Sequence, residues 1–213
     1  MLSPANLSGI RAGYVLGANA KSDLAGRLRR NEVSLGELFS FVSGLYFRGK
    51  LAYAKAFCAG PLGVCGCLVI TPAAGLIAPE TVIGVDQLRK WAANDIAAGD
   101  ERYRRPLVRD CRFLDDQLAR HCDVVLLGSV ATPKYVEPLL EIFQERLLFP
   151  AEFVGRGDMS RGGLMLRCVD RGEELSYIPV LNATRHGPRP PKLLPLKNPR
   201  TPAVSDCISR ESH

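Results

Sequence analysis

A glycine-rich stretch near the middle of the second half is the clearest candidate for chemistry. Residues 155–163 read Gly-Arg-Gly-Asp-Met-Ser-Arg-Gly-Gly, with apolar runs on both sides that predict a loop between two strands. Glycine lets the backbone approach a ligand closely, and arginine beside free backbone N–H groups suits an anion or a phosphate. The predicted ligand-binding residues here are Gly155, Arg156, Gly157, Ser160, Arg161 and Gly162. The alternative is a solvated connection whose glycines only serve its turns.

Three residues are candidates for catalysis. Asp158 and Asp86 are loop acids that could activate water, and His186 could donate to an oxyanion or a phosphate. Each has a structural alternative. Asp158 could pair with Arg156 or Arg161, Asp86 could cap the helix that follows it, and His186 could be a surface histidine. Ser160 has no histidine or lysine near it in sequence, so a serine nucleophile is not supported.

Helical patterns and buried-strand patterns alternate along the chain. Residues 22–30, 35–46, 51–57, 86–98, 110–120 and 133–143 show helical spacing. Ser22, Ser34 and Thr132 are predicted to cap three of these helices, the last with Pro133 at its first position. Apolar runs at 67–71, 123–128, 146–149, 164–169 and 175–181 predict strands, with a hairpin turn at 170–173. Residues 1–20 show no period and predict a loosely docked arm, and the charged residues 99–109 predict an exposed segment.

This alternation predicts an α/β protein, a three-layer α/β/α sandwich with a mostly parallel central sheet. Ligands of such sheets bind at the carboxyl ends of the strands. The loops that leave those ends, residues 72–86, 128–132 and 184–187, add Gly75, Gly128, Ser129, Thr132 and Arg185 to the predicted ligand-binding residues. Residues 1–186 are predicted to form one domain with a helical part at about 20–58. The Pro-rich residues 187–213 are predicted to be a poorly ordered basic tail.

Composition limits the classes of partner. The net charge is +6, and residues 175–205 contain no acidic residue, which favours contact with a polyanion, although a solvated tail is equally compatible. No apolar run is long enough to cross a bilayer, and no signal-peptide pattern is present, so we expect a cytoplasmic protein with no membrane partner.

Seven cysteines lack metal-ligand spacing, so Cys58, Cys65 and Cys67 are expected to be buried thiols rather than metal ligands. No metal and no cofactor are predicted. Tyr46, Phe47 and Tyr53 are aromatic residues of predicted helical segments and are expected in the core. Arg48 and Lys50 are expected on a solvated face.

Two stretches resemble known families. Residues 43–54, Ser-Gly-Leu-Tyr-Phe-Arg-Gly-Lys-Leu-Ala-Tyr-Ala, and 68–86 resemble a group of uncharacterised bacterial domains, in which a helix of this type precedes a strand and a loop. Thr71–Gly75 and Gly84–Asp86 depart from that group's loop pattern, which has tyrosines here. The second half is similar to the uracil-DNA glycosylase superfamily, through residues 127–131, Leu-Gly-Ser-Val-Ala, and 184–188, Thr-Arg-His-Gly-Pro.

The second resemblance implies a glycosylase-like fold in which His186 stabilises negative charge on a leaving base. The glycine-rich, acid-bearing first motif of that superfamily is not found in this chain. Our first hypothesis is a protein that binds or processes nucleobases or nucleic acid, with N-glycosidic hydrolysis as the reaction if it is an enzyme. The second hypothesis is a non-catalytic module that binds a small phosphorylated ligand or a protein partner.

Overall fold

The computed structural model describes residues 1–94 and 96–193, which form short helices and short strands in alternation. The α helices are α1 (Ile10–Leu16), α2 (Asp23–Arg29), α3 (Leu35–Ser43), α4 (Leu45–Phe57), α5 (Val85–Ala92), α6 (Glu101–Gln117), α7 (Pro133–Phe143) and α8 (Asp158–Arg171). The strands are β1 (Val33–Ser34), β2 (Val69–Ile70), β3 (Leu76–Ile77), β4 (Val82–Ile83), β5 (Val124–Val125), β6 (Leu147–Pro150) and β7 (Tyr177–Pro179). The predicted α/β class is therefore confirmed.

Helix starts follow the local chemistry of the sequence. The Ser22 side chain accepts a hydrogen bond from the Ala25 amide at the start of α2, and the Ser34 side chain accepts one from the Glu37 amide at the start of α3. These bonds satisfy amides that have no partner within the helix. Thr132 is the residue before α7, with Pro133 at its first position, although the Thr132 side chain makes no capping bond.

The largest correction concerns residues 155–173. The sequence predicted a loop, a strand at 164–169 and a hairpin turn, whereas the chain forms α8 from Asp158 to Arg171 and ends it at Gly172 in the left-handed region. The buried positions Arg161, Met165 and Cys168 are spaced at i, i+4 and i+7, which is one face of a helix. A short apolar run does not by itself distinguish a strand from a buried helix face.

The first twenty residues also differ from the prediction. They are not a loose arm: Leu2 is completely buried, and α1 packs Ala12 and Val15 into the core. The charged residues from Glu101 onward begin α6; Glu101, Arg102, Arg105 and Arg109 are exposed as predicted, whereas Tyr103 and Leu107 between them are completely buried. The loop predicted at 72–86 contains β3 and β4.

The strands form three small sheets. β1 pairs with β4 and β2 pairs with β3, both antiparallel, while β6 lies between the parallel β5 and the antiparallel β7. Among the strand pairs of the described residues, only β5–β6 is parallel, so the mostly parallel central sheet and the three layers remain predictions.

Leu2 connects two of these sheets. It forms parallel bridges with Val69 on one side and with Leu127 on the other. The amide of Leu2 donates to the Leu68 carbonyl, and the amide of Ile70 donates back to Leu2. The segment Met1–Ser3, β2 and the chain at 124–127 therefore run side by side in one direction.

One hydrophobic core holds these elements together and extends from Leu2 to Val180. Tyr46, Phe47 and Tyr53 lie in it as predicted, and Phe39 packs edge-on against Phe47 at 5.3 Å between ring centroids. Lys50 was placed on the solvated face of α4, but it is completely buried, whereas Arg48 is exposed.

The described cysteines differ in burial, and Cys122 is half-buried. Cys67, Cys111 and Cys168 are buried, whereas Cys58 and Cys65 are exposed, so the expectation of buried thiols is wrong for those two. Residues 187–193 have no regular secondary structure, and the rest of the predicted tail lies outside the described residues. Among the helices of residues 1–94 and 96–193, none is long and apolar enough to cross a membrane.

Candidate functional site

A cavity of about 430 Å³ lies where the parallel segments end. Ser3 follows Leu2, Pro72 follows β2 after Thr71, and Ser129 follows the chain at 124–127, and all three line the cavity. We name this space the carboxyl-end cavity. Its position agrees with the rule that ligands of open α/β sheets bind outside the carboxyl ends of the strands.

Helices supply the remaining walls of the carboxyl-end cavity. α4 contributes Tyr46, the end of α5 contributes Trp91, α7 contributes Lys134 and Tyr135, and the first residue of α8 is Asp158. The Lys134 ammonium lies 5.1 Å from the centre of the Tyr135 ring. The cavity thus combines aromatic surface with hydroxyl, amine and carboxylate groups, a composition typical of small-molecule sites.

The crossing of α4 and α8 places Tyr46 beside Asp158. A Cβ on Gly49 would lie 2.6 Å from the Gly162 carbonyl oxygen, and a Cβ on Gly162 would lie 2.7 Å from the Leu45 carbonyl oxygen. Both distances are too short for any other residue without a shift of the backbone. Gly162 therefore serves helix packing, and its backbone does not face a ligand.

Arg161 is an internal anchor of α8. Its side chain is almost completely buried and donates from Nε and Nη2 to the Phe153 carbonyl oxygen, at 3.2 and 2.9 Å. Its Nη1 lies 3.6 Å from Asp158 Oδ1. The guanidinium holds the first turn of α8 and the Asp158 carboxylate in place, and it does not line the cavity.

Lys50 lies behind the cavity wall, next to Ser3. Its Nζ donates to the Ser3 carbonyl oxygen at 2.5 Å and to Ser3 Oγ at 2.9 Å. The same nitrogen is 4.4 Å from the centre of the Tyr46 ring and 5.0 Å from that of Phe47. Burial lowers the pKa of Lys50 to about 7, because desolvation penalises the ammonium form more than Asp158 favours it.

The Tyr46 hydroxyl is a buried polar group without a hydrogen-bond partner among the described residues. Burial raises the pKa of Tyr46 to about 12, although Arg161 and Ser3 lie near enough to oppose the shift. The phenol therefore stays protonated at neutral pH. A buried hydroxyl without a partner is uncommon in folded proteins and calls for an explanation.

The structure brings some predicted site residues together and leaves others apart. Ser129 and Asp158 line the carboxyl-end cavity. Gly128 lies beside them, because a Cβ there would be 2.9 Å from that of Ser3. Asp86 is in the first turn of α5, where it faces Arg89 at 3.5 Å and does not line the cavity. Gly84, and not Asp86, caps α5.

His186 and Arg185 do not line the cavity either. His186 is exposed, and the chain that follows it passes over Gly155, whose missing Cβ leaves room for the Pro188 carbonyl. Gly155 has φ +71°, which only glycine adopts easily. Gly157 is the N-cap residue of α8 with open space around it, and Ser160 accepts a hydrogen bond from Arg156 at 3.2 Å.

Gly75 and Thr132 have local structural roles. Gly75, with φ +72°, forms a tight turn in which its carbonyl accepts from both the amide and the hydroxyl of Thr71. A Cβ at Gly75 would be 2.0 Å from an Asp110 carboxylate oxygen. Thr132 is exposed at the start of α7 and does not line the cavity.

A second cavity, of about 600 Å³, lies at the other end of the same segments. Met1, Leu68 and Val124 line it, and so do Cys58 and Cys65. We name it the amino-end cavity. Its walls are largely aliphatic and aromatic.

The site residues that were not predicted from the sequence are Ser3, Tyr46, Lys50, Trp91, Lys134 and Tyr135. Ser3 lay in a segment without a period, and Lys50 followed a pattern that placed it outside. A lysine on an otherwise apolar helix turn was the one signal available for Lys50, because its neighbours Tyr46, Phe47 and Tyr53 were all expected in the core.

Comparison of the chain with protein-family models, with curated proteins and with solved structures finds no match. The resemblance to the uracil-DNA glycosylase superfamily therefore remains a prediction. In residues 1–94 and 96–193 there is no group of three or more histidine, cysteine or acidic side chains placed to hold a metal ion.

Proposed function

We propose that the carboxyl-end cavity binds a nucleobase or a nucleoside, and that the protein binds or processes such groups in nucleosides or nucleic acid. The observation that carries the proposal is the cavity itself, with Tyr46, Trp91 and Tyr135 beside Asp158 and Lys134. Aromatic rings stack on the faces of bases, and hydroxyl, amine and carboxylate groups pair with their edges. A volume of about 430 Å³ accommodates one such ring system.

The proposed fold is consistent with this ligand. If Leu2 is counted as a strand, its two parallel bridges join β2 to the chain at 124–127 and extend the sheet on both sides. We propose that these elements are one mostly parallel central sheet with helices on both faces, as in the glycosylase-like sandwich expected from the sequence.

If the protein is an enzyme, the proposed reaction is hydrolysis of an N-glycosidic bond. Asp158 is the acid that lines the cavity, and its side chain is 66% exposed, so water can reach it. A carboxylate in this position can take a proton from the attacking water. The Lys134 ammonium is the cation available to the negative charge that develops on the leaving base.

Binding is tested by blocking the cavity. We expect nucleobases or nucleosides to raise the melting temperature of the wild-type protein. A ligand at 100 times its Kd should increase the free energy of unfolding by about 2.7 kcal/mol. Ser129→Phe should remove the shift, because its side chain enters the cavity. Thr132→Phe, three residues away and outside the cavity, should keep it. Equal shifts in both variants would contradict the proposed site.

Hydrolysis is tested with two aspartates of matched geometry. Asp158 and Asp86 both lie in the first turn of a helix and both face an arginine three residues on, at 3.6 and 3.5 Å. With nucleosides and base-modified oligonucleotides as substrates, Asp158→Asn should slow cleavage at least tenfold, while Asp86→Asn should not. Cleavage that depends on Asp86 would place the reaction elsewhere. No cleavage of any substrate would leave binding as the function.

The second candidate function is binding of a small phosphorylated ligand. One observation favours it: Arg156 Nε is buried and has no hydrogen-bond partner among the described residues. Arg161 does not support it, because its Nε and Nη2 are already bonded to Phe153. The same thermal-shift panel decides between the two, since Arg156→Gln should abolish a shift caused by nucleotides or sugar phosphates and leave one caused by free bases.

A further inference from the structure

Lys50 is completely buried in the core. Removing its ammonium form from water costs free energy, and no ion-pair partner among the described residues offsets that cost. No carboxylate oxygen of the described residues lies within ion-pair distance of Lys50 Nζ. Its polar contacts are the carbonyl oxygen and the hydroxyl of one residue, Ser3. Lysine is rarely buried without a partner, and such lysines serve as bases in catalysis.

Ser3 connects this amine to the carboxyl-end cavity. Ser3 is only 4% exposed, yet it lines the cavity, and its Oγ is 2.9 Å from Lys50 Nζ. The second contact of Nζ, to the Ser3 carbonyl oxygen, fixes the amine on the same residue. A hydroxyl within hydrogen-bonding distance of an amine base, with the base held by a further contact, is the arrangement of an activated nucleophile.

Tyr46 supplies a third group at the same place. Its hydroxyl is buried and without a partner among the described residues, and its residue lines the cavity. The Lys50 ammonium or amine lies over the Tyr46 ring at 4.4 Å. The residues of the nucleophile and of the unpartnered hydroxyl therefore line the cavity, and the base lies directly behind them.

We propose that Ser3, Lys50 and Tyr46 form an acyl-transfer site, in which the Ser3 hydroxyl attacks a small ester or amide bound in the carboxyl-end cavity. This activity does not require the nucleobase proposal, because the two share only Tyr46 and otherwise use different residues at the same cavity. Serine paired with lysine is a known alternative to serine paired with histidine.

The reaction balances with groups that are present. Ser3 Oγ forms a bond to the acyl carbon as its proton passes to the neutral Lys50 amine, and the Tyr46 hydroxyl donates to the carbonyl oxygen as it becomes negative. The bond to the leaving alcohol or amine breaks, and Lys50 returns the proton to that leaving group. Water then releases the acid from Ser3 in the same way, with Lys50 again as the base.

The surroundings favour the neutral amine. The charged and titratable groups that face Lys50 are Tyr46 on α4, and Asp158 and Arg161 on α8. Arg161 opposes the ammonium and Asp158 supports it, while burial acts against it most strongly and lowers the pKa of Lys50 to about 7. At pH 8 most molecules therefore carry a neutral Lys50.

A serine-directed fluorophosphonate probe tests the proposal on the full chain. We expect one equivalent of probe per molecule by intact mass, located on Ser3 by peptide mapping. Ser3→Ala should reduce labelling more than tenfold. Ser43→Ala is the matched control, because Ser43 lines the same cavity without an amine contact, and it should label like the wild type. Absence of labelling, or equal labelling of Ser3→Ala, would overturn the proposal.

The role of Lys50 has its own readout. The labelling rate of the wild-type protein should rise through an apparent pKa near 7 and then level off, as the amine loses its proton. A rate that continues to rise in proportion to hydroxide up to pH 9 would rule out Lys50 as the base. If circular dichroism shows that Lys50→Met has a native fold, this variant should label at least tenfold more slowly than the wild type. If the variant does not fold, the pH profile of wild-type labelling decides whether Lys50 is the base.

Discussion

The two cavities lie at opposite ends of the segment Met1–Ser3 and differ in how their polar groups are satisfied. In the amino-end cavity the Leu175 amide donates to the Tyr53 hydroxyl, which bonds to the Tyr177 hydroxyl, which donates to Glu174, each at 2.7 Å. In the carboxyl-end cavity the Tyr46 hydroxyl has no partner among the described residues, and Lys50 has no carboxylate of those residues within ion-pair distance.

This difference separates structural from functional polar groups. A closed chain of hydrogen bonds stabilises the fold and leaves nothing for a ligand. An unsatisfied buried donor and a buried amine cost free energy in the empty protein, and such groups are typically retained where a ligand or a reaction uses them. The hydroxyl chain of the larger cavity is therefore a weaker candidate for chemistry than Tyr46 and Lys50. That cavity also holds a buried amine, the N-terminus of Met1, which donates to the Val125 carbonyl oxygen at 2.6 Å and whose pKa is lowered by burial.

The largest expected effect concerns the pH dependence of stability. The pKa of Lys50 is lowered to about 7 from 10.5 in the unfolded chain, so between these values the unfolded state binds more protons. The contribution of this group to the free energy of unfolding therefore rises with pH, by about 1.4 kcal/mol per pH unit. Between pH 7 and 9 that amounts to up to roughly 3 kcal/mol.

Chemical denaturation of the wild type and of Lys50→Met measures this effect. The stability of Lys50→Met relative to the wild type should be greatest at and below pH 7, where the wild type contains a buried charge. The difference should shrink as the pH rises to 9, because the folded wild type then holds a neutral amine, and the free-energy cost of removing the proton that the unfolded chain still binds falls with rising pH. Parallel pH profiles would show that Lys50 keeps its ordinary pKa and that the contrast between the cavities is wrong.

The second effect concerns the crossing of α4 and α8, which places Tyr46 and Asp158 in the wall of the carboxyl-end cavity. Gly162→Ala should destabilise the protein by roughly 1–3 kcal/mol, because a Cβ would meet the backbone of α4. Gly163→Ala is the control: it is the next residue of α8, and a Cβ there would contact only Leu193, at 3.7 Å. It should be neutral or stabilising by up to about 1 kcal/mol.

The same two variants, Gly162→Ala and Gly163→Ala, can also be compared in their affinity for ligands of the carboxyl-end cavity. If Gly162→Ala still folds, it should bind ligands of the carboxyl-end cavity more weakly, because α8 positions Asp158 and α4 positions Tyr46. Destabilisation by Gly163→Ala as large as by Gly162→Ala would mean that α8 simply needs flexibility at both positions. The packing explanation for Gly162 would then fail.

The sequence was sufficient where a local rule decides the structure. Ser22 and Ser34 begin helices because their side chains accept hydrogen bonds from the amides three residues on, and no distant residue is needed for that. The same holds for the position of α7, which Pro133 favours at its first residue.

The sequence was insufficient where a distant partner decides. Gly162 resembles a loop residue until α4 is placed against it, and Lys50 resembles a surface residue until Ser3, 47 positions away, is placed beside it. Three residues at the start of the chain are too few to show any period, so the segment that connects two sheets looked like a loose arm. The candidate site depends on these three features, which explains why only Ser129 and Asp158 were found in advance.

The smallest expected effect concerns the amino-end cavity, whose tyrosine hydroxyls are already hydrogen-bonded. Tyr177→Phe interrupts the chain from Tyr53 to Glu174 in the amino-end cavity and should destabilise the protein by about 1 kcal/mol, the usual contribution of one hydrogen bond. Tyr14→Phe is the control, because Tyr14 is 58% exposed, and it should change the stability by less than about 0.5 kcal/mol.

Since Tyr177 does not line the carboxyl-end cavity, neither variant should alter ligand binding or Ser3 labelling there. Thermal denaturation followed by the fluorophosphonate assay measures both properties in one set of samples. Loss of Ser3 labelling in Tyr177→Phe alone would show that the two cavities are coupled through the Met1–Ser3 segment, and the hydroxyl chain would then have to be counted with the functional groups.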